Sequence, residues 1–246
     1  MQIMKYLIVL LYISFTVISC EKSASSKITD ISEIKAQIEI YQSLSDKNDN
    51  SVSVILYDNK NKEIVNRSIN IFVNGNKTDY KVIQSLYYSK HYYYRIEHIP
   101  PANDSYELEI QLPNGKKFTL GKGSALAISS SDKIIYNKTA PLNKDYAIQW
   151  SDLYDVNQLS ITKSVQVENT QDPTITMLVD EPNDTIRIAT NGNYVIKKEK
   201  LAQPNGKLRM LILKFVAKKV GNLNPHLLKG STFIINGNHQ KQVDFK

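Results

Sequence analysis

The chain has 246 residues, a formal net charge of +7, 41% hydrophobic residues and one cysteine. A single cysteine excludes an internal disulfide and a thiolate metal cluster, so apolar burial must stabilise the fold. The charge comes almost entirely from lysine, because the sequence contains only four arginines. Nucleic-acid readers rely on arginine for bidentate contacts, so we expect no nucleic-acid partner.

The N-terminus has the three-part layout of a secretory signal. Lys5 precedes an apolar run over residues 7–18, which ends at Ser19-Cys20. The run is shorter than the roughly 20 residues that span a bilayer. We therefore predict a signal peptide over residues 1–19 and a polar, serine-rich tether over residues 20–32. An ordinary signal peptide with a chance cysteine and a buried N-terminal helix are the alternatives.

The next segment alternates apolar and polar residues with period two, which predicts short strands. Ile38 and Ile40 share one strand face, and Gln42 extends that face. Asn74-Gly75 between apolar runs predicts a tight hairpin, since both residues tolerate positive φ. The clearest strand is 106–112, followed by a turn at Pro113-Asn114-Gly115. About seven strands in some 90 residues indicate a β-sandwich over residues 33–125.

A second strand series fills residues 143–246, after a predicted linker at 126–142. Trp150 belongs to its first alternating run, and residues 208–216 are apolar on both faces, which predicts a central strand. Short strands are expected near 233–235 and 243–245. Residues 194–201 form the one plausible short helix. The prediction is an all-β chain with two sandwich domains in tandem.

Two features resemble known families. Val17-Ile18-Ser19-Cys20 resembles the lipobox of bacterial lipoproteins, which implies cleavage before Cys20 and lipidation of Cys20 with more than one acyl chain, as stable anchoring requires. Trp150 falls where immunoglobulin-like domains place a buried tryptophan, and both halves look like the immunoglobulin-like modules of envelope lipoproteins. The resemblance implies two immunoglobulin-like β-sandwich domains, a lipid-bilayer anchor at Cys20 and a cell-envelope location, with the outer membrane favoured over the inner.

Candidate catalytic groups are sparse. The four histidines form no zinc-protease pair, and no nucleophile elbow or phosphate loop is present. Carboxylates occur in two pairs, Glu107 with Glu109 and Asp152 with Asp155. Such pairs can act in glycosidases but are common on solvated sheets. We predict no catalytic residue, no metal site and no cofactor.

The most unusual local feature is a tyrosine-rich segment, in which five tyrosines occur between residues 87 and 94. On a strand, Tyr92 and Tyr94 would face the core while Tyr93 and Arg95 would face outward. Exposed aromatic rings beside polar groups can stack on sugars or anchor a protein partner. The candidate binding residues are Tyr87, Tyr88, Tyr93, Lys90, His91 and Arg95. The alternative is that these rings only complete the core and decorate an edge strand.

Three functions fit this pattern. The leading hypothesis is a membrane-anchored, non-enzymatic binding or scaffold module for an envelope protein or a glycan. The second is a hydrolase of envelope polysaccharide, whose site the sequence does not reveal. The third is an inhibitor or immunity-type lipoprotein specific for one partner.

Overall fold

A computed structural model describes residues 28–84, 90–168, 176–202 and 206–246. The predicted signal peptide and Cys20 lie outside these ranges. The strands, in chain order, are β1 (Lys35–Gln42), β2 (Asn50–Tyr57), β3 (Asn70–Val73), β4 (Asn76–Lys77), β5 (Asp79–Gln84), β6 (Lys90–Glu97), β7 (Ser105–Gln111), β8 (Lys117–Ser124), β9 (Ile134–Tyr136), β10 (Thr139–Ala140), β11 (Tyr146–Trp150), β12 (Val156–Glu168), β13 (Thr176–Asp180), β14 (Asp184–Arg187), β15 (Gly192–Ile196), β16 (Lys207–Val220), β17 (Asn222–Leu223) and β18 (Thr232–Phe245). Helical structure in the same ranges comprises two 3₁₀ turns, Ile31–Glu33 and Ser131–Lys133, and the one-turn α1, Lys198–Leu201.

These strands form three sheets. The largest has the order β13-β12-β16-β18-β1-β2-β6-β5, with β14 added to β12 and β10 added to β18. A five-stranded sheet, β17-β8-β7-β3-β4, covers the part of the large sheet around β1 and β2. A three-stranded sheet, β15-β11-β9, covers the part around β16. The predicted all-β sandwich fold is confirmed, and the two sandwiches share one sheet.

Alternation of apolar and polar residues produces the first sandwich. The inner positions of β1 and β2 are buried, and Ile38 pairs with Val54 across the two strands. Phe233 packs where three glycines leave room, two of them on β8 of the facing sheet and one directly after β16: a Cβ at Gly121, Gly123 or Gly221 would lie 2.6 to 3.2 Å from its ring atoms. The predicted hairpin is present, with φ of 48° at Asn74 and 78° at Gly75.

Two 14-residue strands, β16 and β18, run through both sandwiches. The start of β18 pairs in parallel with β1, its end pairs with β10, and β16 lies beside it throughout. The prediction of separate strands at 233–235 and 243–245 was therefore wrong. Gly237 and its polar neighbours interrupt the hydrophobic pattern of β18. At this point another segment, residues 126–129, crosses the strand, and we call it the crossing segment. Leu126 and the backbone carbonyl of Gln42 occupy the space that a side chain at position 237 would fill.

A buried amide fixes that crossing segment to the first sandwich. The Gln42 Nε2 donates to the Leu126 carbonyl at 2.7 Å, and its Oε1 accepts from the Leu126 N–H at 2.9 Å. Tyr106 also donates to this Oε1, at 3.4 Å. Burial raises the pKa of Tyr106 to about 12, so its hydroxyl stays a donor at neutral pH.

The same segment is fixed to the second sandwich. The Asp155 carboxylate accepts from the Ala127 N–H at 2.7 Å and pairs with Lys219 at 2.7 Å. Ser129 Oγ lies 3.0 Å from Nε2 of the buried His239, whose pKa is lowered by burial. The first residues of the predicted linker are thus packed between the sandwiches, while the domain boundaries themselves stay a prediction.

Trp150 anchors the second sandwich. Its indole is buried, donates Nε1–H to the Ala189 carbonyl at 2.8 Å and packs edge-on against Phe215, with the ring centroids 5.6 Å apart. The helix predicted over 194–201 is only partly present. Its first residues belong to β15, where Tyr194 pairs with Ile148, and only α1 is helical. So short a helix gains too few hydrogen bonds to offset its nucleation cost, and sheet pairing prevails.

None of the helices in the described ranges is long and apolar enough to cross a bilayer. Within those ranges, no group of three or more His, Cys, Asp or Glu side chains is arranged to hold a metal ion.

Candidate functional site

The tyrosine-rich strand β6 has one side in the core. Tyr94 is only 2% exposed and faces Tyr80 on β5, with ring centroids 5.2 Å apart and an interplanar angle of 64°. Its hydroxyl donates to the Asn66 carbonyl at 3.0 Å, and burial raises its pKa. Tyr92 points the same way and stacks on Tyr80 at 6.2 Å. These rings therefore stabilise the sandwich and are not free to bind.

The other side of β6 faces outward. Tyr93 is half-buried between His91 and Arg95 along the strand, and Lys81 is its cross-strand neighbour on β5. We define the Tyr93 face as the outward side of β5, β6, β2 and β1. Tyr57 and the 39%-exposed Tyr41 lie on the same face. The outward positions of these four strands are all half-buried or exposed.

Each basic side chain near Tyr93 has a carboxylate partner. The pairs are His91 Nδ1 with Glu63 Oε1 at 3.0 Å, Arg95 Nε with Glu97 Oε1 at 2.8 Å, and Lys81 Nζ with Asp79 Oδ2 at 3.0 Å. The basic and acidic side chains around the ring thus match in number, and the surface is rich in hydrogen-bonding groups. Such a surface suits a polar, uncharged ligand better than a polyanion.

Glu63 is a site residue that the sequence did not reveal. One of its carboxylate oxygens faces His91, and the other accepts from the Tyr92 N–H at 2.9 Å. It lies in the loop between β2 and β3, which also places Arg67 over the Tyr80 ring, 5.9 Å from its centroid. A loop residue 28 positions before its partner carries no periodic signal, so only the folded chain brings the two together.

The predicted binding residues do not all come together. Tyr93, His91 and Arg95 share the outward side of β6. Lys90 is exposed at the start of the strand but alternates onto the side of Tyr92. Tyr87 and Tyr88 lie outside the described residues.

The carboxylate pairs lie elsewhere. Glu107 and Glu109 line an open depression of about 760 Å³ on the outer side of the five-stranded sheet. The Glu107 side chain is 52% exposed and lies 3.9 Å from Lys122. Asp152 pairs with Lys133 at 3.2 Å, while Asp155 belongs to the junction of the sandwiches.

No protein-family model matches the chain, and no curated protein matches it. One similar solved structure is SGBP-B of the mixed-linkage glucan utilization locus of Bacteroides ovatus, in complex with a mixed-linkage heptasaccharide. It is 12% identical, with 80% of this chain and 52% of that chain covered and a TM-score of 0.22. This chain thus spans about half of that protein's length.

Two other solved structures are similar at the same level. The fibronectin(III)-like modules of CbhA from Clostridium thermocellum are 9% identical, with 85% and 94% of the two chains covered and a TM-score of 0.25. Pullulanase type I from Bacillus subtilis, complexed with maltose, is 11% identical, with 80% and 24% covered and a TM-score of 0.23. Likenesses at such identities and TM-scores carry no information about this chain's function.

Proposed function

We propose that this protein is an envelope lipoprotein, anchored by acylated Cys20, whose first sandwich binds a neutral glycan on the Tyr93 face without chemical conversion. The proposal rests on the outward ring of Tyr93, which is surrounded by three basic side chains that each lie within 3.0 Å of a carboxylate oxygen. An envelope protein is the other partner class that such a surface could hold.

The chemistry of the face favours a sugar. A tyrosine ring buries much area against a sugar face and has only two side-chain torsions to freeze, so it binds at low entropic cost. The paired side chains of Arg95 and Lys81 keep further N–H donors for hydroxyl groups. Because their charges are already matched, an anionic polymer gains little by replacing the carboxylates. Tyr57 and Tyr41 lie on the same side of the sheet and offer further rings towards which a glycan chain can extend.

Replacing Tyr93 with alanine should weaken glycan binding at least tenfold, because the stacking surface is lost. The measurement is affinity electrophoresis against a panel of neutral polysaccharides (β-glucan, xylan, mannan and starch), followed by calorimetry with an oligosaccharide of the retained polymer. The matched control is Tyr154→Ala, a 54%-exposed tyrosine beyond the junction, which should leave binding unchanged.

Thermal unfolding of the Tyr93→Ala protein decides what a loss of binding means. We expect a stability change near the 0.5 kcal/mol typical of surface positions. A loss of several kcal/mol would instead assign the ring to the core. Failure of the wild type to bind any neutral polysaccharide, combined with specific cross-linking of one envelope protein to this face, would overturn the glycan proposal in favour of a protein partner.

Replacing Cys20 with alanine should release the protein from membranes washed with 0.5 M NaCl, because no sulfur remains to carry the lipid anchor. Membrane fractionation and intact mass spectrometry provide the measurement, and Ser23→Ala is the matched control that should remain lipidated. A wild-type mature N-terminus at another residue, without any acyl mass, would contradict the anchor.

A further inference from the structure

The entry point of the chain defines one end of the molecule. β1 runs from Lys35 to Gln42, and Gln42 lies at the junction with the second sandwich. The start of β1 is therefore at the opposite end of the first sandwich. The first described residue, Ile28, is buried there, and the Thr29 carbonyl accepts a 3.0 Å hydrogen bond from Asn114. We call this end the proximal end.

Three further segments meet at the proximal end. The β7–β8 turn contributes Asn114, the β2–β3 loop contributes Asn61, whose side chain accepts from Lys35, and the loop before β18 contributes Leu228, whose N–H donates to the Ile34 carbonyl at 2.9 Å. These contacts are hydrogen bonds between segments far apart in sequence. These hydrogen bonds hold the four segments together, so their side chains form one continuous surface at the proximal end.

This surface is basic. Residues 28–35, 58–62, 113–117 and 225–230 contain six lysines and three carboxylates. The lysines are Lys35, Lys60, Lys62, Lys116, Lys117 and Lys229. Among the described residues, Lys60, Lys116 and Lys229 are exposed and form no ion pair.

The three carboxylates are turned towards the protein's own backbone. Asp30 accepts from the N–H and hydroxyl of Ser32, and Glu33 accepts from the Thr29 and Asp30 N–H groups. Asp58 accepts from the N–H groups of Lys60 and Lys62. These hydrogen bonds leave the carboxylates charged, so the basic character comes from the excess of six lysines over three carboxylates.

The covalent chain holds this basic surface near the predicted anchor. Eight peptide steps separate Cys20 from Ile28, and at no more than 3.6 Å per step they span at most about 29 Å. Electrostatic attraction to a charged bilayer falls off over a Debye length of about 8 to 10 Å, so a tether of this reach allows contact. The short connecting chain and the positive charge of the proximal end both point to anionic lipid headgroups as the partner of this surface.

We propose that the proximal end docks on anionic lipid headgroups, so that the first sandwich stands on the membrane with the Tyr93 face to its side and the second sandwich outward. This inference rests on the lipid anchor proposed for Cys20. Each lysine near an anionic surface strengthens attachment about fivefold, so several acting together orient the module even though each alone is weak.

The test uses the chain from Glu21 to Lys246, which contains every strand described above and lacks the lipidation site. Co-sedimentation with vesicles of phosphatidylcholine containing 30% phosphatidylglycerol should show binding at low salt that is lost in 0.5 M NaCl. The variant Lys60→Glu/Lys116→Glu/Lys229→Glu should bind at least tenfold more weakly. The matched control Lys144→Glu/Lys200→Glu/Lys214→Glu has the same net charge but changes exposed lysines of the second sandwich, and it should bind like the wild type.

The outcomes separate this inference from the anchor. Equal losses in the two triple variants would show that only net charge matters and would overturn the docking surface. Equal binding to pure phosphatidylcholine would overturn the electrostatic basis. Because the tested chain lacks Cys20, missing acylation in cells refutes the anchor alone and leaves the vesicle result standing. Unchanged circular dichroism of each variant confirms that the fold is intact.

Discussion

Replacing Phe233 with alanine should lower the free energy of unfolding by about 3 to 5 kcal/mol, as removal of a buried phenylalanine commonly does. Phe233 is 1% exposed and fills the space above Gly121, Gly123 and Gly221. Those glycines have no side chains that could move into the cavity, so relaxation is limited. Urea denaturation followed by circular dichroism measures the change.

The same variant tests whether the sandwiches unfold together. The chain has one tryptophan, Trp150, and it lies in the second sandwich, whereas Phe233 packs in the first. Because β16 and β18 run through both, Trp150 fluorescence should shift to the same urea midpoint as circular dichroism. Val220→Ala, at a 78%-exposed position on β16, is the control and should change stability by less than about 0.5 kcal/mol. An unshifted fluorescence midpoint would instead favour two independent domains divided at the predicted linker.

Replacing Gln42 with alanine should cost about 3 kcal/mol of folding stability. The substitution leaves the N–H and C=O of Leu126 without their partner, and each unsatisfied buried group costs about 1 to 3 kcal/mol. The Tyr106 hydroxyl loses an acceptor as well. Equilibrium denaturation measures the loss, and Gln37→Ala, on the outward side of the same strand, is the control with a smaller effect.

The amide chemistry of Gln42 can be separated from its volume. Gln42→Glu keeps the shape but removes the Nε2 donor, so it should also destabilise the protein at neutral pH and recover part of the loss when acid protonates the new carboxyl group. Gln42→Leu keeps most of the volume and neither polar function. If alanine and leucine at this position are both tolerated with losses below 1 kcal/mol, the bond to Leu126 does not fix the crossing segment.

The side of a strand that each residue faces could be predicted from alternation alone. Ile38 and Ile40 are buried, and Gln42 continues their face even though it is polar, because side chains of a strand alternate with period two regardless of chemistry. The same rule placed Tyr94 in the core and Tyr93 outward. Asn74-Gly75 predicted its hairpin because few residues adopt positive φ at low cost.

The pairing of distant segments followed no local rule. The parallel pair of β1 with β18 joins residues almost 200 positions apart, and neither strand carries a mark of its partner. The continuity of β18 through Gly237, the polar contacts of Gln42 and Asp155, and the approach of Glu63 to His91 all depend on where other segments cross. Period-two patterning therefore determined the all-β class and the side of β6 on which the candidate binding residue Tyr93 lies. Only tertiary structure decided which strands share a sheet, because partner choice depends on the packing of the whole chain and not on the residues of one strand.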